Sequence, residues 1–300
     1  MSHKQRLLVV GNGPVGHQFL ESIVESGCAT DYQITVIGEE PRPAYDRVHL
    51  TAWFETRQAD ALNMVADGFY ATNNIDVRCG EKVVAIDRDA KTATTDSGRH
   101  YDYDQLVLAT GSYPFVPPVP GHERENCFVY RTIEDLEAIT AAAKNASVGA
   151  VVGGGLLGLE AAKAIKDLGL KTHVIEFAPR LMAVQVDDGG GALLRRKIED
   201  LGVEVHTQKN TQNIGDGEHC VHKLSFADGA ELETDILVFS AGIRPQDALA
   251  RQCELKIGER GGIAINNYCQ TSDPAIYAIG ECALWNQRIF GLIAPGNEMA

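Results

Sequence analysis

Leu7-Leu8-Val9-Val10 runs directly into Gly11-Asn12-Gly13-Pro14-Val15-Gly16, and Ala150-Val151-Val152 runs directly into Gly153-Gly154-Gly155-Leu156-Leu157-Gly158. Each stretch is an apolar strand feeding a G-x-G-x-x-G turn. In the first copy Phe19, Leu20, Ile23 and Val24 then recur at helical spacing. A lone glycine fingerprint is a weak signal. A strand before it, a helix after it and an acid ending a second strand supply the context in which it binds a dinucleotide. The first glycine (Gly11, Gly153) permits the tight turn, and the second (Gly13, Gly155) lets a pyrophosphate approach the backbone. The third (Gly16, Gly158) allows close packing of strand and helix. Pro14 suits a first helical turn, where a missing N–H costs nothing, and Leu156 holds the same place in the second copy. The helix start then offers free N–H groups and a positive dipole end to phosphates. Two such units predict an α/β chain with two Rossmann-like domains and an electron relay between two cofactors.

The acids refine this reading. Ile34–Ile37 is a strand closed by Gly38-Glu39-Glu40, and Lys171–Glu176 is the partner strand of the second unit. Glu39 and Glu176 are the candidates for accepting hydrogen bonds from ribose hydroxyls, with Glu40 as the alternative to Glu39. Glu176 stands 18 residues beyond Gly158 and is followed by Phe177 and Ala178, with Arg180 as the nearest base. A carboxylate there repels a 2′-phosphate, so the second site is expected to prefer NADH over NADPH.

The 300 residues carry a formal net charge of -14, which argues against nucleic-acid or anionic-membrane partners, since phosphates would be repelled. The seven cysteines, at 28, 79, 127, 220, 253, 269 and 282, form no CxxC pair and no zinc-like spacing. That pattern reads as reduced thiols of a cytoplasmic protein without a bound metal. No long apolar segment appears, so the chain is expected neither to be exported nor to span a membrane.

Further along, Lys82–Asp87 and Ala93–Asp96 read as strands, and Leu106–Leu108 is a strand leading to Ala109-Thr110-Gly111. Tyr113–Gly121 holds four prolines and reads as a linker. Thr132 followed by Asp135 is a helix-capping pattern. Arg195–Leu201 reads as helical and Val203–Val205 as a strand. Val221–Glu233 alternates like a hairpin turning at Asp228-Gly229, and Ile236–Phe239 is a buried strand leading to Gly242. His17, His49 and the run Gly189–Gly191 are expected to be structural, and Cys282 a buried inert thiol.

Ala109-Thr110-Gly111 and the stretch from Thr271 through Ile279-Gly280-Glu281 resemble the flavin signatures of the pyridine nucleotide–disulfide oxidoreductase superfamily. The resemblance implies two three-layer ββα domains: an FAD domain over 1–112 and 242–300, and an NAD(H) domain over 113–241 inserted in it. The last segment is read as a truncated second part, with a helix starting near Pro295 and frayed at Ala300, and with weakened FAD retention. FAD contacts are implied for Gly11, Gly13, Pro14, Gly16, Glu39, Arg47, Val83, Ala109, Thr110, Gly111, Gly280 and Glu281. NAD contacts are implied for Gly153, Gly155, Leu156, Gly158, Glu176 and Gly242.

Disulfide reductases of this superfamily carry redox cysteines soon after the first acidic strand. Here that segment is Pro43-Ala44-Tyr45-Asp46-Arg47-Val48-His49-Leu50, which has no cysteine. It looks like the Tyr-Asp-Arg stretch of ferredoxin and rubredoxin reductases, with Thr51-Ala52-Trp53 where those proteins place a lysine. That stretch, together with Ala109–Pro114, Val129–Leu136, Val174–Pro179 and Ile279–Ala283, is similar to the amino-terminal part of the NADH-dependent assimilatory nitrite reductase large-subunit family. The likeness implies a flavoprotein passing electrons from NADH through FAD to a metal-centre acceptor, in cis or in trans, for nitrite reduction to ammonium. Iron–sulfur and sirohaem groups are implied for a longer chain and not for these residues. The alternatives are a freestanding ferredoxin- or rubredoxin-type reductase and a non-catalytic NADH sensor. No catalytic side chain is assigned.

Overall fold

Alternate residues of a strand face opposite sides, so the apolar end of Gln5–Val10 needs cover on both. Leu7 and Val9 pack with Leu20, Val36 and Val107 on one side; Leu8 and Val10 pack with Val83, Ile86 and Ala93 on the other. The computed structural model, which describes residues 4–300, shows the layers behind this pattern. A parallel sheet runs in the order Ile276–Ala278, Gln105–Leu108, Gln5–Val10, Tyr32–Gly38, Ile75–Cys79. The helix Pro14–Glu25 covers one face with Leu20. The antiparallel meander Val83–Asp87, Thr92–Thr95, His100–Asp102 covers the other.

A second parallel sheet runs Val203–His206, Lys171–Ile175, Val148–Val152, Ile236–Phe239, Cys127–Val129. The helices Leu156–Asp167 and Asp188–Asp200 lie against its strands. The meander Thr211–Asp216, His222–Phe226, Glu231–Thr234 sends Ile214, Leu224 and Phe226 onto Ala150, Ile175, Leu237 and Phe239. Each sheet is therefore the middle of a helix–sheet–meander sandwich. Among the described residues no helix is long and apolar enough to cross a membrane.

The chain divides into two compact units. One holds the described residues through His49, Ala59–Tyr113 and Arg244–Ala300; the other holds Leu50–Gln58 and Pro114–Ile243. Leu50–Gln58, read from the sequence as part of the first domain, thus belongs with the second sheet's unit. Its Leu50 and Trp53 are buried, and the Thr51 hydroxyl lies 3.0 Å from that of Tyr130.

Two helix starts differ from the sequence reading. The helix expected from Arg195 begins at Asp188, because the Asp187 carboxylate accepts from Gly190 N at 2.8 Å and offsets the poor helix propensity of the glycine run. The last helix is Ile293–Met299, so Pro295 is its third residue rather than its opener. A proline still fits there, since the N–H it lacks is one of the four that a helix start leaves unpaired. This segment is held rather than frayed: Met299 packs against both cores of the first unit, and a Cβ on Gly296 would meet Val15 at 2.6 Å.

The capping pattern at Thr132 forms a full box. Asp135 N donates to Thr132 Oγ1 at 3.2 Å, and Thr132 N donates to Asp135 Oδ2 at 2.8 Å. Thr132→Ala is expected to lower unfolding stability by about 1 kcal/mol, measured by urea denaturation.

Candidate dinucleotide sites

In the first unit Gly11 sits at φ +112°, and a Cβ on it would lie 2.2 Å from the Ala109 carbonyl oxygen. A Cβ on Gly16 would lie 2.2 Å from the Gly11 carbonyl oxygen. Backbone packing forbids a side chain at both. Gly13 differs, because no atom lies within 4 Å of where its Cβ would be. The second unit repeats the pattern. A Cβ on Gly153 would lie 2.2 Å from Ser240 O, one on Gly158 would lie 2.0 Å from Gly153 O, and Gly155 faces open space.

The middle glycine of each turn therefore leaves a cradle at the start of a helix. Pro14–Glu25 and Leu156–Asp167 begin with no side-chain cap and no acid in the first turn. Their leading N–H groups are available to an anion, and the helix dipole favours one there. Pro14 and Leu156 open these helices, and Leu156 is half exposed. Both turns fit a pyrophosphate.

Around the first turn, Gly11 N donates to Ile37 O and Ala109 N to Val10 O, each at 2.8 Å, which locks the turn to both neighbouring strands. Thr110 Oγ1 donates to Gln246 O at 2.6 Å, and Gly111 turns the chain at φ +68°. Gly280 turns at φ +76° beside Val15, and Ser112 Oγ donates to Glu281 Oε2 at 2.6 Å, fixing that carboxylate. The Val83 side chain is buried in the core, which leaves its backbone for any contact with a ligand.

The two acids after Ile37 part company. Glu39 pairs with Lys82 Nζ at 2.8 Å on the surface. Glu40 accepts from Tyr45 Oη at 2.8 Å and pairs with Arg47, whose guanidinium lies 4.9 Å from the centre of the Tyr45 ring. Burial works against charge on Arg47, but Glu40, Tyr45 and the field of Glu281 outweigh it and raise its pKa. A permanent cation is thereby held in the same field as Glu281. Cys282 is fully buried, with Sγ 3.3 Å from Ile279 O, and burial raises its pKa, which keeps the thiol protonated.

Both histidines near these loops have acidic neighbours that the sequence reading did not find. His49 Nδ1 lies 2.6 Å from Asp46 Oδ2. His17 Nε2 lies 3.4 Å from Glu21 Oε1, with its ring edge-on to Phe69 and its pKa lowered by burial. The signals were local: i−3 for His49 and i+4 for His17.

In the second unit both oxygens of Glu176 are engaged by backbone. Gly154 N donates to Oε2 and Ala178 N to Oε1, each at 2.6 Å. The carboxylate is thus pinned between the glycine turn and the end of its strand, with lone pairs left for a ribose. Arg180 is tied elsewhere, to Asp188 at 2.7 Å and to the Val186 and Ala183 carbonyls. Gly242 turns at φ +102°, faces open space, and accepts from Phe115 N at 2.9 Å. Among the contacts in this unit that sequence reasoning missed, the Thr51 hydroxyl lies between Tyr130 Oη at 3.0 Å and Glu160 Oε2 at 3.5 Å. These residues are far apart in sequence and match no local pattern.

Comparison with known proteins agrees with this geometry. The profile of the pyridine nucleotide-disulphide oxidoreductase family matches residues 5–299. The chain is 56% identical over 298 residues to the nitrite reductase (NADH) large subunit of Escherichia coli K12, covering 99% of this chain and 35% of that protein. It is 57% identical over 297 residues to the nitrite reductase [NAD(P)H] large subunit of Klebsiella oxytoca, covering 99% of this chain and 31% of that one. The ferredoxin reductase for the CYP199A2 system from Rhodopseudomonas palustris superposes with a TM-score of 0.91 at 26% identity, over 99% of this chain and 74% of that one. The chain spans about a third of the length of the two curated relatives. With paired glycine cradles and a family match over nearly its whole length, the chain belongs to the pyridine nucleotide-disulphide oxidoreductase family.

Proposed function

We propose that the chain is the electron-entry module of an assimilatory NADH-dependent nitrite reductase, serving a metal-centre acceptor on further domains or on a separate protein. The identity of 56% across 99% of this chain to a nitrite reductase (NADH) large subunit carries the reading. When bound, FAD would supply two-electron acceptance from NADH and one-electron release to iron–sulfur or sirohaem centres, which the longer relatives' remaining length leaves room for. The chain's own residues bind and orient. Gly11, Gly13 and Gly16 with the start of Pro14–Glu25 would hold the FAD pyrophosphate, and Arg47, Thr110, Gly111 and Glu281 would surround the rest of that nucleotide. Glu39 or Glu40 would take its ribose. Gly153, Gly155 and Gly158 would hold the NADH pyrophosphate, and Glu176 its adenosine ribose. With no cysteine in Pro43–Leu50, this stretch cannot serve as a thiol relay, and a one-electron acceptor fits better. NADH supply and seven free thiols both suit the cytoplasm.

The test is anaerobic. NADH added to the FAD-loaded chain should bleach the flavin band, and the reduced protein should then reduce ferricyanide but form no ammonium from nitrite. An unbleached spectrum would favour the NADH-sensor reading. Ammonium formed by the iron-free chain would refute the module reading. The likeness to a ferredoxin reductase supports a second reading, a freestanding reductase. Rapid single-electron transfer to an added ferredoxin or rubredoxin, with no further domains encoded downstream, would select it.

A further inference from the structure

His173 and His206 stand on adjacent parallel strands, one on Lys171–Ile175 and the other on Val203–His206. His173 is in register with Glu204, and Ile175 with His206. Because side chains alternate along a strand, all three residues project from one face of the sheet. That is the face of Ala150 and Ile175, which the meander covers. The three side chains converge: His173 Nδ1 lies 3.0 Å from His206 Nε2 and 3.5 Å from Glu204 Oε2, and all three ligating atoms fall within 4.8 Å of one another. Neither histidine belongs to the glycine turn or to the carboxylate pinned by Gly154, and the proposed redox function uses none of the three.

We propose that His173, Glu204 and His206 form a binding site for a divalent transition-metal ion of the zinc, cobalt or nickel class. Ligands 2.0–2.1 Å from a tetrahedral ion are separated by about 3.3 Å, so the 3.0 and 3.5 Å spacings need little adjustment to admit one. Two imidazoles and one carboxylate are a donor set for such ions rather than for calcium or magnesium. The proton now shared between the two rings moves to the far nitrogen of the ring that carries it, leaving both facing lone pairs free. Burial disfavours charge on both rings, pushing His173 down to about 4 and His206 below its ordinary value, and the neutral ring is the form that ligates. Glu204 divides its oxygens: Oε1 holds Lys171 Nζ at 3.0 Å, and Oε2 faces the histidines. Glu204 is exposed, so water can complete the coordination. Lys171, Lys209 and Arg195 set a positive field at His206, which limits affinity.

The experiment uses the untagged full chain, stripped with chelator and titrated with Co2+ and Zn2+ by absorption and calorimetry. One ion per chain should bind with the intense visible bands of tetrahedral cobalt and without a sulfur-to-cobalt charge-transfer band. His206→Ala should weaken binding by at least the roughly tenfold that losing even an outer-shell partner costs. Glu204→Gln, at an exposed position, carries the same test should His206→Ala not fold. Lys171→Ala should tighten binding by roughly threefold to tenfold, because it removes a positive charge beside the ion. A purely structural His–His contact would leave metal affinity unmoved by Lys171→Ala. No cobalt bands, or equal affinity in the unmodified chain and the Glu204→Gln variant, would overturn the proposal.

Discussion

Gly16→Ala should be markedly less stable, whereas Gly13→Ala should fold normally and bind FAD more weakly. The two glycines are three residues apart in one turn and differ in what a methyl group meets. At Gly16 it would be 2.2 Å from the Gly11 carbonyl oxygen, and neither backbone can retreat, because Gly11 N is bonded to Ile37 O. Overpacking of that kind costs about 3 kcal/mol or more, a large share of the 5–15 kcal/mol that roughly spans whole-domain stabilities. At Gly13 the backbone is ordinary extended chain at φ -93°, and the methyl meets no protein atom. It would occupy instead the space through which, on the proposed reading, a pyrophosphate would reach the helix N–H groups, and FAD affinity should fall by about tenfold or more, equivalent to at least 1.4 kcal/mol. Thermal unfolding and the ratio of flavin to protein absorbance separate the two outcomes. Equal melting temperatures and equal flavin content in both variants would remove the ligand-facing role of Gly13. The same contrast is expected between Gly158→Ala and Gly155→Ala, read by NADH affinity.

Removing the charge of Glu176 should collapse the preference for NADH. If Glu176 takes the adenosine ribose, as proposed, a 2′-phosphate there would stand within hydrogen-bonding range of that carboxylate. Coulomb repulsion at such a distance is about 1 kcal/mol in water and about 4 kcal/mol in a half-buried setting. The unmodified chain should therefore discriminate against NADPH by roughly fivefold to a thousandfold in kcat/KM. Glu176→Gln removes the charge and also one of the two backbone contacts, to Gly154 N or Ala178 N. The lost contact loosens the loop for both nucleotides alike, so the ratio of the two kcat/KM values isolates repulsion. That ratio should fall by about tenfold. Comparable rates with NADH and NADPH before any substitution would show that the carboxylate does not read the 2′ position.

What the sequence revealed about this molecule follows the range of the interactions involved. The glycine turns, the Thr132 capping box and the Asp228-Gly229 hairpin turn are decided within a few residues, and each lies where local rules put it. Glu176 stood out in the sequence as the one acid at its strand end, and the structure ties both its oxygens to backbone N–H groups. Glu39 and Glu40 were not separable, because their roles depend on Lys82 and on the Tyr45–Arg47 segment. The start of the helix at Asp188 was hidden by glycines whose low propensity a single capping aspartate overrides. Thr51, Tyr130 and Glu160, like His173 and His206, meet through chain topology, and no periodicity announces such meetings.

The placement of Leu50–Gln58 has a consequence for inheritance and engineering alike. The backbone passes from one unit to the other after His49, Gln58, Tyr113 and Ile243, so the second unit is written in two separate pieces of the gene. A fragment covering 114–243 carries the whole second sheet but leaves behind the buried Trp53 and the hydroxyl that joins Tyr130 to Glu160. A swap of nicotinamide specificity by exchanging that fragment between relatives would strip it of native cover unless the short upstream piece moved with it. The second unit is thus one cassette in two pieces, and both pieces must be moved together.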